Sequence, residues 1–189
     1  MDILKTGPRK AVPRTARGKT ACPLAPLQTY REKRDFGRTP EPSGGRSGKR
    51  RSSPVYIIQL HRASHLHYDL RLEEGGVLKS WAIPKTPPER PGDKRLAVET
   101  EDHPLGYASF EGSIPEGEYG AGTVVIWDRG TYDPLATTPV QRVINIRGRK
   151  LKGVYALIKL RAKKGRKDKN WLFFKTGQDG TPESKRKTP

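Results

Sequence analysis

The segment Leu66-His67-Tyr68-Asp69-Leu70-Arg71-Leu72 alternates apolar and polar side chains at every position. In an extended strand the side-chain period is two, so His67, Asp69 and Arg71 project from one face while Leu66, Tyr68, Leu70 and Leu72 project from the other. A strand of this kind lays its apolar face on a core and leaves the opposite face free to carry chemistry. With His61 and His65 just upstream, three imidazoles, one carboxylate and the Arg71 guanidinium fall within eleven residues. Imidazole and carboxylate are ligands for Mn, Fe, Co, Ni or Zn, and an arginine beside such an ion can grip an anion.

The same period continues on both sides. Val55 to His61 reads as a first strand and Leu66 to Glu73 as a second. The Glu74-Gly75-Gly76 turn then leads into a third strand, Val77 to Ile83, making a hairpin. Arg95 to Thr100, Gly122 to Trp127, Val140 to Arg147, Val154 to Leu160 and Trp171 to Lys175 add further strands. Many short strands separated by turns, in a chain with 17 prolines and 20 glycines, predict an antiparallel barrel or sandwich. Trp81, Trp127 and Trp171 fall on different strands and are expected to pack in the core, where their large apolar area belongs. Leu24 to Phe36 is expected to hold one short helix, closed by Thr39-Pro-Glu-Pro.

A length of 189 residues fits one modest domain with extended ends. Charge divides the chain in the same way. Residues 1–53 hold 14 Lys and Arg against 4 Asp and Glu, residues 54–160 hold 14 against 13, and residues 161–189 hold 10 against 3. Cationic ends around a nearly neutral middle suit a polyanionic partner, nucleic acid above all. Residues 1–23 read as a disordered basic arm, residues 24–175 as the folded domain with a basic linker at 43–53, and residues 176–189 as a disordered basic tail. Cys22 stands alone, so no intramolecular disulfide can form. No apolar run approaches the ~18–20 residues that span a bilayer. The expectation is a cytoplasmic monomer that does not engage a membrane.

Between strands lies the long glycine-rich stretch from Glu101 to Gly122, which holds His103 and Tyr107. All four histidines of the chain therefore fall within residues 61–103. Clustered ionisable groups favour a site over four unrelated structural histidines. His65 shares the parity of His67 and is set aside as a bystander. Three functions fit what remains. His67, Asp69 and His103 form a candidate 2-His-1-carboxylate triad of a non-haem iron oxygenase. A metal that only staples a nucleic-acid-binding barrel is a second possibility. Metal-assisted phosphoester hydrolysis is the third, with the ion polarising a phosphoryl oxygen and Arg71 clamping the phosphate, and it uses every residue of the cluster.

Four separated motifs occur in order: Gln59-Leu-His61-Arg-Ala-Ser-His-Leu-His67-Tyr-Asp69-Leu-Arg71-Leu-Glu, Leu78-Lys-Ser-Trp-Ala-Ile-Pro-Lys85, Arg95-Leu-Ala-Val-Glu-Thr-Glu101-Asp-His103-Pro-Leu-Gly-Tyr107, and Phe110-Glu-Gly-Ser-Ile-Pro-Glu-Gly-Glu-Tyr-Gly-Ala-Gly122. Together they closely resemble the phosphoesterase domain of bacterial DNA ligase D, over roughly residues 24–175. Tyr30-Arg-Glu-Lys-Arg34-Asp35 with Glu41 resembles that family's N-terminal motif. The resemblance implies a β-barrel enzyme, activated by manganese, that removes 3′-terminal ribonucleosides and 3′-phosphates from DNA or RNA-tailed DNA to leave a 3′-hydroxyl for end joining. By motif position, it implies that His61, His67 and Asp69 hold the metal and that Arg71 and Lys85 contact phosphate. The resemblance further implies that His103 acts at the phosphate as general acid or transition-state stabiliser, with Tyr107 near it, and that Gln59, Glu101, Arg34, Asp35 and Glu41 are supporting positions. No ligase or polymerase domain fits in 189 residues, so the expectation is a stand-alone version directed to broken ends by its basic arms or by a separate ligase or end-binding repair protein.

Overall fold

A computed structural model describes residues 27–44, 52–161 and 169–177. The first three strands are β1 (Val55–Arg62), β2 (Leu66–Glu74) and β3 (Val77–Ile83). Gly75 and Gly76 join β2 to β3 with φ of 62° and 83°. A two-residue hairpin turn that matches strand twist needs positive φ at both positions, which glycine reaches without a Cβ clash. The turn fixes the register, setting Arg71 opposite Ser80 and Asp69 opposite Ala82. Across the other edge of β2, His67 faces His61 and Asp69 faces Gln59.

The remaining strands are β4 (Lys94–Glu99), β5 (Gly112–Ile114), β6 (Gly122–Thr138), β7 (Gln141–Gly148), β8 (Lys152–Lys159) and β9 (Asn170–Lys175). All pairings are antiparallel, in the order β1-β2-β3-β4-β9-β8-β7-β6, and β6 returns to pair with β1. The result is a closed eight-stranded barrel, with β5 added to β6 as a ninth strand. Closure leaves the barrel wall without an open edge.

β6 runs well beyond the expected Gly122 to Trp127. Two register shifts let it bend, one opposite Ile58/Gln59 where Trp127 is the extra residue, the other between Pro134 and Ala136. A bulge re-aims the strand and tolerates a proline that an unbroken ladder would not. Gly130, which reads as a strand breaker, is required there because a Cβ would strike the Arg147 carbonyl.

The barrel interior holds Tyr56, Ile58, Leu70, Leu72, Trp81, Ile83, Tyr155, Leu157, Trp171 and Phe173, all essentially inaccessible. Trp81 and Trp171 meet edge to face at 5.7 Å, as a core role predicts. Trp127 is only partly buried against this core, with Tyr68 at 5.5 Å and the Lys150 ammonium over its ring. The opposite parity of β1 to β3 faces outward under a second cluster of Tyr30, Leu78, Tyr107, Phe110, Ile114 and Val124. That cover comes from a short helix α1 (Gln28–Glu32) and a 3-10 turn at Leu105–Ser109.

The helix ends at Glu32, short of the expected Phe36, and residues 24–26 of the expected span lie outside the described residues. Its C-terminal side is closed by Asp35, whose carboxylate accepts from the Gly37 amide at 2.9 Å and whose carbonyl accepts from the amides of Arg38 and Thr39. The basic arm 1–23, residues 45–51 of the linker and the tail from 178 onward lie outside the described residues. Thr176, placed in the tail by the sequence, is buried and bonds to Val154. No helix among the described residues is long and apolar enough to cross a membrane.

Candidate active site

Strand parity and the β1–β2 register bring His61, His67 and Asp69 together on the covered outer face. One potential ligand atom from each lies within 4.8 Å of the others, and among the described residues they form the candidate metal group. His61 Nδ1 stands 3.6 Å from Asp69 Oδ2, and His67 Nε2 stands 3.7 Å from Oδ1. The far nitrogen of each ring meets a backbone carbonyl, Gly120 O at 2.9 Å for His61 Nε2 and His65 O at 2.9 Å for His67 Nδ1. A carbonyl accepts only, so each far nitrogen carries a proton, and in the neutral ring the near nitrogen on the Asp69 side is the atom with a lone pair to give a metal. In that neutral state two imidazole lone pairs and a carboxylate form a donor set that fits a divalent transition metal. Gly120 supplies its carbonyl from a left-handed conformation, φ 79°.

Arg71 is the hub beside this group. Its Nε donates to Gln59 Oε1 at 2.7 Å, one terminal nitrogen to Ser80 Oγ at 2.9 Å and the other to Asp69 Oδ2 at 3.0 Å. The guanidinium also lies over the Tyr107 ring, 4.5 Å from its centroid. Three of its five N–H groups are used, and two remain for an incoming anion. Gln59, wholly buried, donates in turn to the carbonyls of Tyr107 and Phe110, so the 3-10 turn and Arg71 are positioned by one side chain. Burial by itself would raise the Asp69 carboxyl. The Arg71 charge beside it counters burial and holds it well below the usual carboxylate range.

On the other side of Arg71 sits His103, paired in an isolated bridge with Leu78 and 4% exposed. Its Nδ1 lies 2.9 Å from the Glu101 carbonyl and 3.2 Å from Ser80 Oγ, while Nε2 lies 3.4 Å from an Arg34 terminal nitrogen. Ser80 gives its own proton to Leu78 O. The Nδ1–H tautomer, with Nε2 accepting from Arg34, satisfies every one of these contacts. Burial, then the charges of Arg71 and Arg34, push the ring well below the ordinary histidine range and keep it neutral.

Arg34 reaches the site from the residues after α1. It donates to Glu41 at 2.9 Å, Glu101 at 3.2 Å and the Tyr30 carbonyl at 3.1 Å, and its guanidinium lies 3.9 Å over the Tyr30 ring. Glu41 is 4% exposed and also accepts from Thr39 and the Tyr107 hydroxyl. Burial pushes the Tyr107 phenol far up, so it stays protonated and donating.

These residues line a cleft of about 250 Å³. His61, His67, Asp69, Arg71, His103, Tyr107, Glu101 and Arg34 face it; Gln59 and Glu41 stand behind it, and Asp35 serves the turn after α1. Lys85 does not line the cleft. It is exposed two residues beyond Ile83, whose cross-strand partner is Tyr68, so it sits at the His67 end of the β2–β3 hairpin. His103 is not grouped with His67 and Asp69, whose third member is His61. Sequence reading passed over Ser80, which touches both Arg71 and His103, as well as the Gly120 carbonyl, Lys33 and Tyr119. The Gly75-Gly76 turn was the signal for Ser80, because its register places that residue opposite Arg71.

The family model for the DNA ligase D 3′-phosphoesterase domain matches residues 59–159, more than half of the chain. The chain belongs to this phosphoesterase-domain family. The multifunctional non-homologous end joining protein LigD of Pseudomonas aeruginosa is 60% identical over 111 residues, which are 58% of this chain and 13% of that protein. The LigD of Mycolicibacterium smegmatis is 46% identical over 170 residues, 83% of this chain and 22% of that protein. LigD of Mycobacterium tuberculosis is 47% identical over 137 residues, 70% of this chain and 18% of its own length. The chain thus spans less than a quarter of the curated relatives it matches. Within the family region fall the candidate metal group, Arg71, Ser80 and His103, whereas Arg34 and Glu41 come from outside it.

Proposed function

We propose that this protein is a divalent-metal-dependent, most readily manganese-dependent, phosphoesterase acting on nucleic-acid 3′ ends. In this reading it removes 3′-terminal ribonucleosides and 3′-phosphates from DNA or RNA-tailed DNA and leaves a 3′-hydroxyl for a ligase during double-strand break repair. The observation that carries the reading is the convergence of two imidazole lone pairs and a carboxylate beside a guanidinium with two free donors. That donor set would also suit non-haem iron, but an oxygenase leaves the buried Arg71 and its four supports without a task. Family membership favours the phosphoester.

An ion held by His61, His67 and Asp69 would supply Lewis-acid polarisation of a phosphoryl oxygen. Arg71, fixed by Gln59, Ser80 and Asp69, presents its remaining N–H groups to the phosphate in a preset plane, so little reorganisation accompanies charge build-up on the oxygens. His103 rests neutral. A phosphate charge placed against Arg71 offsets the field that keeps the ring neutral and raises its proton affinity, so Nε2 takes up a proton from solvent and passes that proton to the departing oxygen. Glu101 and Ser80 hold the ring by Nδ1 while this occurs. Lys85, at the hairpin end, would meet phosphates of the flanking strand, and the basic ends would add sequence-independent attraction.

The test is end-labelled primer–template bearing a 3′-terminal ribonucleotide or a 3′-phosphate, incubated with and without manganese beside a His67→Ala control. The expected result is metal-dependent conversion of both to 3′-hydroxyl ends, lost in the control. Folded, metal-loaded protein that converts neither would overturn the reading.

A further inference from the structure

The chemistry above leaves one wall of the cleft unused. Tyr119 lines it and is 49% exposed, whereas Tyr107, the other phenol facing the cleft, is 2% exposed. Single exposed aromatics are ordinary, but this one is held in place. The Glu118 amide donates to Pro115 O at 3.2 Å and the Ala121 amide to Glu118 O at 3.1 Å, two successive tight turns around the tyrosine. Gly117 and Gly120 flank it in left-handed conformations, φ 86° and 79°. Glu118 pairs with Arg38 at 3.1 Å, and Lys33 donates to the Tyr119 hydroxyl at 3.1 Å while also bonding Glu101. The next residue is Gly120, whose carbonyl orients His61.

With the hydroxyl engaged by Lys33, what the half-exposed ring can still offer a ligand is the π surface that the neighbouring cations leave uncovered. The Lys33 ammonium lies 4.4 Å and the Arg34 guanidinium 5.5 Å from its centroid. The rest of the apolar lining is small: Ala63, Ala82 and Ile114. A phosphodiester seated at His61, His67, Asp69 and Arg71 brings a nucleoside on each side, and a base is the flat, polarisable group that such a face accepts. We infer that Tyr119 is the stacking seat for a nucleobase flanking the reacting phosphate, an inference that rests on the phosphoesterase reading. Stacking recognises a π face and not an edge pattern, so the seat accepts any of the bases.

The test compares wild type with Tyr119→Phe, Tyr119→Leu and Tyr119→Ala on oligonucleotides ending in a 3′-ribonucleotide. Two matched substrates are made abasic at the terminal or at the penultimate position. Phe keeps the face and is expected to stay within about twofold, while Leu and Ala raise KM by about tenfold, as loss of one base–aromatic stack does. The penalty shrinks to near unity on the abasic substrate whose missing base is the stacking partner. Manganese affinity of the Leu and Ala variants, read by electron paramagnetic resonance, is expected to stay unchanged, which separates a seat from a prop for Gly120 and His61. Leu matching Phe, or a penalty that persists on both abasic substrates, overturns the inference. If wild type turns over neither substrate, the phosphoesterase reading fails by itself. Equilibrium binding of the same oligonucleotides then decides the stacking seat, with base-dependent weakening in Tyr119→Ala supporting it and none overturning it.

Discussion

Two buried aspartates stand on the two strands that flank β1, Asp69 on β2 and Asp128 on β6, and they are used in opposite ways. Asp128 meets donors on every side. Its Oδ1 accepts from the amides of Arg129, Arg149 and Lys150, and its Oδ2 from the Leu151 amide and the Tyr56 hydroxyl. It pins the turn between β7 and β8 onto the barrel end, and nothing is left for a ligand. Asp69 meets one guanidinium and two imidazole nitrogens that, in the neutral rings, present lone pairs. Equal burial therefore gives a knot in one place and a ligand set in the other. What differs is whether the neighbours bring N–H groups or lone pairs, and two backbone carbonyls decide that for His61 and His67.

The largest expected effect comes from removing the ligand charge. Asp69→Asn should abolish tight manganese binding and lower turnover on the order of 10³-fold, the several kcal/mol that Lewis-acid stabilisation supplies. Binding is read by electron paramagnetic resonance and turnover on the 3′-phosphate end. A variant that keeps both would make Asp69 a second structural knot and end the contrast.

Asp128→Asn should do the reverse. An amide cannot accept five hydrogen bonds and turns its own N–H groups toward other donors, so a loss of about 3 kcal/mol of unfolding free energy is expected in urea titration. Manganese affinity of the folded protein should not move. A parallel loss of metal binding would show that the knot and the site are one unit.

Arg71→Lys sharpens the ligand side. The charge stays, but one ammonium cannot hold Gln59, Ser80 and Asp69 in plane and still face a phosphate. A fall of about 10²-fold in kcat/KM is expected, with metal affinity changed far less. If the two quantities drop together, Arg71 serves the metal and not the phosphate.

How much of this was legible in the sequence follows the same division. Period-two alternation placed β1, β2 and β3 to within a residue or two and put His67, Asp69 and Arg71 on one face, because each strand there is covered on both sides. β5 was missed, being three residues long inside a glycine-rich stretch, and β6 runs past the expected Trp127 through Gly130 and Pro134, residue types that ordinarily interrupt a strand. Both are absorbed by tertiary contacts, the close Arg147 carbonyl and the bulge after Pro134. Asp69 announced itself by its neighbours in the chain. Asp128 did not, since most of its donors are backbone amides 21–23 residues away and carry no side-chain signature.

Acid should find the site before it finds the carboxylates. His103 is held neutral in the fold by burial and by Arg71 and Arg34, so its folded affinity for protons is below the unfolded one. Its contribution is present above the ordinary histidine range and is lost as pH falls from there toward the folded value. Metal-free protein should therefore lose stability from about pH 6.5 downward with a slope of at most about 1.4 kcal/mol per pH unit, the one-proton limit. The stability supplied by the Asp69 and Glu101 carboxyls, both held low, is present throughout this range and is lost only as pH falls through the carboxylate range and below. Urea titrations at pH 7.5, 6.5 and 5.5 should show the slope in wild type and a flatter dependence in His103→Gln. An unchanged slope would move the acid sensitivity away from this ring.

The smallest effect tests whether either aspartate's region is needed to recruit a polyanion. The described barrel carries almost no net charge, while residues 1–23 alone hold six Lys and Arg against one acid. Deleting residues 1–23 should weaken oligonucleotide binding severalfold at low salt and reduce the dependence of affinity on salt concentration, because fewer counterions are released. Turnover of a small phosphate ester should stay as in the full chain, since it needs the cleft and not the arm. Equal loss of binding and small-ester turnover would place the arm in the catalytic machinery; retention of the full salt slope would place the phosphate contacts on the barrel itself, with Lys85 and the Arg149–Lys150 turn that Asp128 holds as the first positions to mutate.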